Sequence, residues 1–106
     1  MTYKLYLDDI RNPKGEGFVV VRSFNEAVNY VNQHGYPNYV SFDHDLGESD
    51  AKTGYDFAKW LVSVDLVNNS MPDDFDFNVH SANPVGAQNI IEYFKSYLSL
   101  KARARK

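Results

Sequence analysis

Short strand-like segments alternate with amphipathic helical segments along this chain of 106 residues, and that alternation restricts the fold to the α/β class. Segments 3–7, 18–22, 39–42 and 75–79 are rich in Val, Phe, Tyr and Leu. Apolar residues at helical spacing follow the second, third and fourth of these segments. The resulting order favours right-handed crossovers and a mostly parallel sheet of about four strands, with helices on both faces.

The strand patterns also predict positions in the sheet. The second strand is a continuous run of apolar residues, which is typical of a strand buried on both faces. The fourth alternates apolar residues with Asp76 and Asn78, as expected of an edge strand with one wetter face. The connection over residues 8–17 holds Pro and Gly and is slightly short for a parallel crossover, but we still expect parallel pairing.

Each helical segment carries recognisable signals at its ends or along one face. Ser23 and Glu26 form a capping box for the first helix, and Gly35 closes it. The second helix follows Gly54. Its expected apolar stripe consists of Phe57, Trp60, Leu61, Val64 and Val67. The third helix is expected to begin at the N-cap Asn83 and Pro84, with Ala87, Ile90, Ile91, Phe94 and Leu98 on its buried side.

Composition excludes several classes of site. The chain has no cysteine, which rules out disulfides, thiolate nucleophiles and Cys-ligated metal centres. The longest purely apolar run, residues 18–21, is far too short to span a membrane. The first residues lead directly into a strand and have no signal-peptide shape. We therefore expect a cytoplasmic protein that makes no membrane contact.

Charge is distributed unevenly. The formal net charge is −3. Four of the 11 basic residues lie in the last six positions. Without these four, seven basic and 14 acidic residues remain, which gives a net charge of −7. This predicts a single domain over residues 1–100 and a basic tail over residues 101–106. An acidic body disfavours a general nucleic-acid groove, although the tail could make a weak contact with RNA or another polyanion. A solvated, frayed end is the favoured interpretation of the tail.

Polar clusters follow three of the four predicted strands. Asp8 and Asp9 follow the first strand, residues 43–45 (Asp, His, Asp) follow the third, and His80 and Ser81 follow the fourth. The carboxyl ends of parallel strands meet at one edge of a sheet, where ligands of such folds bind. The sequence therefore predicts that four aspartates and two histidines gather at one rim.

Carboxylates crowded in this way repel one another unless a cation lies among them. Oxygen ligands suit Mg²⁺ or Mn²⁺, and participation of His44 or His80 would favour Mn²⁺, Fe²⁺ or Zn²⁺. We expect Asp8, Asp9 and Asp43 as metal ligands, with Asp45 as an alternative or outer ligand. The competing interpretation is that individual aspartates cap turns or face water.

Segment 80–86 leads into a helix N-terminus, where backbone N–H groups favour an anion. Ser81 and Asn83 in this segment, together with Arg11, are the expected phosphate-binding residues, although a surface salt bridge is equally compatible with Arg11. His80 and His44, with Asp45, are the expected catalytic residues for proton transfer.

Four motifs in order resemble the cyclic-phosphate processing receiver domain family. They are residues 7–13 (LDDIRNP), 41–47 (SFDHDLG), 53–61 (TGYDFAKWL) and 80–86 (HSANPVG). The resemblance implies a receiver-like (flavodoxin-like) three-layer α/β sandwich and a role in processing cyclic phosphate ends of RNA or related cyclic phosphodiesters. It also implies that Asp8 and Asp9 match the acidic pair of response-regulator receivers, and that Asp43 or Asp45 matches their phosphoacceptor.

The chain departs from the receiver pattern in two places. We expect no fifth strand after the last helix, which would leave the lysine after that receiver strand without a counterpart, and we expect no helix between the first two strands. The leading hypothesis is therefore a metal-dependent phosphoesterase acting on cyclic phosphates. The alternative is a non-catalytic receiver-like module that binds metal and phosphate, or accepts a phosphoryl group, and signals to a protein. A third is a small RNA-associated adaptor that acts through the basic tail.

Overall fold

The computed structural model describes residues 3–47 and 52–104, which form one four-stranded sheet and three helices. The strands are β1 (Lys4–Leu7), β2 (Phe18–Val21), β3 (Tyr39–Phe42) and β4 (Asp76–Val79). The helices are α1 (Phe24–His34), α2 (Gly54–Asn68) and α3 (Pro84–Ala104). None of these helices is long and apolar enough to cross a membrane.

All the strands of the sheet are parallel, in the order β2-β1-β3-β4. This confirms the α/β class and the edge position of β4. It also confirms the parallel pairing of β1 with β2 across the short loop 8–17. The expectation that β2 is buried on both faces is wrong, because β2 forms the opposite edge and three of its four residues are only partly buried. Its run of valines reflects β propensity more than a central position.

The described helices pack on a single face of the sheet, which corrects the expectation of a three-layer sandwich with helices on both faces. The Phe42 ring contacts Phe57 of α2 and Phe94 of α3, and α1 reaches the same cluster through the contact of Phe24 with Phe57. Crossovers from β2 to β3 and from β3 to β4 step in the same direction, so right-handed connections place their helices on one side. A helix between β1 and β2 would cover the other side, but loop 8–17 takes its place.

The core lies between the sheet and the helices. Its fully buried members include Leu5, Leu7, Val40, Phe42, Phe57, Leu61, Ile90 and Phe94. The apolar stripe expected on α2 is confirmed for Phe57 and Leu61 but wrong for Val67, which is 83 % exposed. On the opposite face of the sheet, the Phe18 ring contacts the rings of Tyr6 and Tyr39 edge to face.

Helix α3 continues through residues that we expected to belong to a frayed tail. It ends at Ala104, and Lys101 pairs with the buried carboxylate of Asp65 on α2. Tyr97 and the backbone N–H of Met71 also donate hydrogen bonds to Asp65. The tail expectation fails for residues 101–104 because this buried acceptor holds the last turns of α3 against α2. Residues 105 and 106 lie outside the described part of the chain.

Asp65→Asn is expected to reduce the free energy of unfolding at pH 7 by about 2 kcal/mol, because Lys101 loses its charged partner in a mostly buried position. Burial alone would raise the pKa of Asp65, but the hydrogen bonds from Lys101, Tyr97 and Met71 outweigh it and hold the pKa below its ordinary value. This stabilisation is therefore present above the unfolded pKa of about 3.9 and is lost as the pH falls through the lower folded pKa.

Urea unfolding at pH 7 and at pH 3 checks this expectation. The difference between wild-type protein and Asp65→Asn should shrink at the lower pH. Asp74→Asn removes the same charge at an exposed position and should change stability by less than about 0.5 kcal/mol. An Asp65→Asn protein as stable as Asp74→Asn at pH 7 would contradict the role assigned to Asp65.

Candidate functional site

The carboxyl ends of β1, β3 and β4 bring the predicted site residues together at one rim. Backbone hydrogen bonds continue past the strand ends, from the N–H of Asp43 to the carbonyl of Leu7 (2.9 Å) and from the N–H of His80 to the carbonyl of Phe42 (3.0 Å). Asp8, Asp43 and His80 therefore leave the sheet at the same level. Their proximity, which the parallel topology predicts, is confirmed.

Asp8, Asp9 and Asp43 form a carboxylate cluster in which one oxygen of each residue lies within 4.8 Å of the others. Asp8 and Asp43 are buried and Asp9 is partly buried. Three converging oxygen ligands at this spacing fit a divalent cation such as Mg²⁺ or Mn²⁺. Asp45 does not belong to the cluster, and its side chain is 65 % exposed. Of the two aspartates that follow β3, it is therefore Asp43 that joins the other carboxylates.

Asp8 is ionised although it is fully buried. Burial alone would raise its pKa. Hydrogen bonds from the backbone N–H groups of Arg11 and Ile10 and from His80, together with the Arg11 charge, outweigh burial and hold the pKa below its ordinary value. The site therefore carries a fixed negative charge at neutral pH.

Arg11 bridges the two buried carboxylates. Its Nε lies 3.0 Å from Oδ2 of Asp8, and a terminal guanidinium nitrogen lies 3.4 Å from Oδ2 of Asp43. Arg22 fixes the surrounding loop by donating to the carbonyls of Asp8 and Arg11 and to the side chain of Asn12. Arg11 is thus an ion-pair partner within the site, in addition to any contact with a ligand.

His80 is held at both ring nitrogens. Nε2 lies 3.0 Å from Oδ2 of Asp8, and Nδ1 lies 2.7 Å from the hydroxyl of the buried Ser41. The ring also stacks on Tyr6, with centroids 4.4 Å apart. An imidazole fixed on two edges and one face is well suited to orient Asp8.

His44 is held at one nitrogen. Its Nδ1 lies 2.8 Å from Oδ1 of Asp45, and Asn83 contacts the same oxygen at 3.4 Å. The described residues supply no hydrogen-bond partner for Nε2. The hydrogen bond from His44 lowers the pKa of Asp45 below its ordinary value, with a smaller contribution from Asn83. A His–Asp pair with one ring nitrogen available is the usual arrangement of a proton-transfer group.

The polar residues before α3 mainly organise the turn. The Ser81 hydroxyl accepts a hydrogen bond from the N–H of Asn83 (3.0 Å), and Oδ1 of Asn83 accepts one from the N–H of Gly86 (2.9 Å). Because the hydroxyl oxygen acts as an acceptor here, the Ser81 hydroxyl proton can donate to a phosphoryl oxygen. Both polar ends of the Asn83 side chain are engaged within the protein, so Asn83 positions Asp45 and caps the helix.

Two glycines allow the first turns of α2 and α3 to approach the rim closely. A Cβ on Gly54 would overlap the carbonyl oxygen of Asp43, and a Cβ on Gly86 would overlap the imidazole ring of His44. The N–H of Gly54 also donates to the carbonyl of His44 (2.8 Å). The first turns of α2 and α3 therefore press directly against the segment that carries Asp43 and His44.

Sequence reasoning missed Ser41, Tyr6 and Arg22 as members of this site. Ser41 lies two residues before Asp43, on the same face of β3, and a small polar residue inside an otherwise apolar strand was the available signal. Tyr6 lies in the same alternating position on β1. No sequence pattern connects Arg22 to the carbonyls of loop 8–17.

Comparison with known proteins places these residues in a family. The family model described as cyclic-phosphate processing receiver domain matches residues 3–96, which contain the whole rim. No curated protein sequence matches significantly. Among solved structures, the crystal structure of NtrX from Brucella abortus is similar, with 14 % identity and a TM-score of 0.49, over 99 % of this chain and 28 % of that chain. With its parallel sheet, three helices and matching sequence, this chain belongs to the cyclic-phosphate processing receiver domain family.

Proposed function

We propose that this domain hydrolyses a cyclic phosphodiester to a phosphate monoester with the help of a divalent cation. The observation that carries the proposal is the buried carboxylate cluster of Asp8, Asp9 and Asp43, which shares one rim with two histidines that are each paired with a carboxylate. Family membership supplies the substrate class, because the family is described by cyclic-phosphate processing.

The carboxylate cluster would hold the cation. A bound Mg²⁺ or Mn²⁺ supplies positive charge next to the phosphoryl oxygens and lowers the pKa of a coordinated water. Asp8 contributes fixed negative charge, and its orientation is set by His80 and by the backbone of loop 8–17. Ser81 and Arg11 are the donors assigned to the phosphoryl oxygens.

His44 is assigned the proton transfer. In the reaction, a water oxygen bonds to phosphorus and gives one proton to the surrounding solvent, and the bond from phosphorus to one ribose oxygen breaks. The departing oxygen takes a proton from Nε2 of His44, and the neutral ring then regains a proton from solvent. Asp45 holds the Nδ1 side of the ring and stabilises its charged form. His80 has both nitrogens engaged and is assigned the positioning of Asp8 instead.

His80→Ala is expected to reduce turnover about tenfold or more, the range typical of losing a group that orients a metal ligand. The reason is that Asp8 loses the hydrogen bond from Nε2 of His80. The substitution also removes the imidazole ring that stacks on Tyr6. Turnover measured across a series of Mn²⁺ concentrations checks this, since poor ligand orientation should also raise the Mn²⁺ concentration needed. A His80→Ala protein with wild-type turnover and wild-type Mn²⁺ dependence would remove the positioning role.

The proposed activity is tested with a substrate panel. Purified protein is incubated with 2′,3′-cyclic mononucleotides and with RNA that ends in a 2′,3′-cyclic phosphate, with Mg²⁺, Mn²⁺ or Zn²⁺ and with chelator. Phosphorus NMR should show conversion of the cyclic ester to a monoester that depends on the metal. Substrates that stay intact with every metal would refute the proposal.

A second candidate function is a phosphoryl-binding module without turnover. It is favoured by the buried position of Asp43 at the end of β3 beside two other carboxylates, which is also a suitable place to accept a phosphoryl group. Acetyl phosphate or beryllofluoride would then shift amide NMR signals around Asp43 while cyclic esters stay intact. An adaptor that acts through the tail is less well supported, since Lys101 is paired with Asp65.

A further inference from the structure

A single guanidinium group neutralises two of the three carboxylates in the cluster. Arg11 contacts Asp8 through Nε at 3.0 Å and Asp43 through a terminal nitrogen at 3.4 Å. Two buried carboxylates this close would repel strongly without a positive charge beside them. The protein's own side chain therefore does what a bound metal ion would otherwise do.

The guanidinium is far more accessible than the groups it contacts. The Arg11 side chain is 46 % exposed, whereas the side chains of Asp8 and Asp43 are 0 % and 5 % exposed. The backbone of Arg11 is fixed separately, because its N–H donates to Oδ1 of Asp8 and its carbonyl accepts from Arg22. The side chain can therefore rotate away from the carboxylates while loop 8–17 stays in place.

We infer that Arg11 competes with the divalent cation for these carboxylates, and that metal binding releases its guanidinium for the substrate phosphate. The inference rests on the proposed metal site. Once a cation neutralises Asp8 and Asp43, the electrostatic attraction that holds Arg11 against them is largely removed. The freed group can then make the two parallel hydrogen bonds to a phosphoryl oxygen pair that arginine favours. Metal and phosphate therefore bind in a preferred order.

The experiment compares wild type with Arg11→Gln and with Lys14→Gln, which removes the same charge from an exposed position in the same loop. Mn²⁺ binding is measured by electron paramagnetic resonance, and binding of inorganic phosphate to the Mn²⁺-loaded protein by calorimetry. Arg11→Gln should bind Mn²⁺ about tenfold more tightly than wild type, because a competing charge is gone. It should bind phosphate about tenfold more weakly. Lys14→Gln should stay close to wild type in both measurements.

The two binding measurements separate this inference from the proposed activity. Mn²⁺ binding that is unchanged or weaker in Arg11→Gln, or equally tightened in Lys14→Gln, would overturn the competition. Unchanged phosphate binding would overturn the release. If no protein of the set binds Mn²⁺, the inference and the proposed metal site fail together. Metal and phosphate binding as expected without turnover of cyclic esters would refute the proposed activity alone.

A second measurement on wild-type protein covers the case in which Arg11→Gln does not fold. The Nε–H resonance of Arg11 is followed by NMR during titration with Mg²⁺. We expect it to lose the shift and the exchange protection of its hydrogen bond to Asp8 as Mg²⁺ binds. A resonance that keeps both at saturating Mg²⁺ would overturn the inference.

Discussion

His44→Ala should slow hydrolysis of a 2′,3′-cyclic phosphate by about 10²–10⁴-fold, the range in which a positioned acid or base contributes. The reason is that Nδ1 of His44 is hydrogen-bonded to Asp45 while Nε2 has no partner among the residues that the structure describes, whereas both ring nitrogens of His80 are engaged. The loss should appear in kcat, since the carboxylate cluster does not include His44. Initial rates with a 2′,3′-cyclic nucleotide and saturating Mn²⁺ give the comparison.

His34→Ala provides the matched control. His34 lies in the last turn of α1, where it stacks on Tyr30, and its removal should leave the rate unchanged. Gly86→Ala keeps both histidines of the rim but adds a Cβ that overlaps the His44 ring, so it should also slow the proposed reaction. A rate for His44→Ala within a factor of two of the His34→Ala control would show that another group supplies the proton.

Gly54→Ala should destabilise the protein by about 3 kcal/mol or more, the upper part of the range for forcing an extra group into a packed site. The added Cβ overlaps the carbonyl oxygen of Asp43, which belongs to the backbone and cannot move as a flexible side chain would. Relief of the overlap requires a shift of α2 or of the segment after β3. A shift of the segment after β3 would displace Asp43 from the cluster, so Mn²⁺ affinity should fall in whatever protein relieves the overlap in this way and remains folded.

Gly15→Ala is the control for this substitution. A Cβ at Gly15 would lie 3.6 Å from the Phe18 ring, an ordinary contact, and the exchange should change stability by less than about 1 kcal/mol in either direction. Urea unfolding followed by circular dichroism measures both variants. A Gly54→Ala protein as stable as Gly15→Ala would mean that the close approach of α2 to Asp43 is not required.

The sequence predicted the convergence of Asp8, Asp43 and His80 because that convergence depends on topology. Each residue follows a strand, and parallel strands place their carboxyl ends at one edge regardless of side-chain detail. The face of the sheet on which the helices pack was less well predicted. The loop that replaces a helix between β1 and β2 is visible in the sequence, but its consequence, three helices on one face, follows only when the strand order β2-β1-β3-β4 is known.

The partners within the site could not be predicted in the same way. Side-chain rotamers and the backbone turns after the strands decide which carboxylates Arg11 contacts. They also decide which of the two rim histidines, His80 or His44, has a ring nitrogen with no partner among the described residues. The pairing of Ser41 with His80 joins residues 39 positions apart and leaves no local pattern. Lys101 was assigned to a frayed tail for a related reason. Its buried partner, Asp65, lies on another helix, so the sequence around Lys101 does not indicate the pairing.

Anomalous diffraction from crystals grown with millimolar Mn²⁺ tests the central claim most directly. The three clustered carboxylates should surround a single strong peak at the carboxyl ends of β1 and β3, and that peak should be absent from Asp43→Asn crystals grown in the same way. Wild-type crystals with no peak at this rim, or with the metal bound only at another surface, would contradict the account.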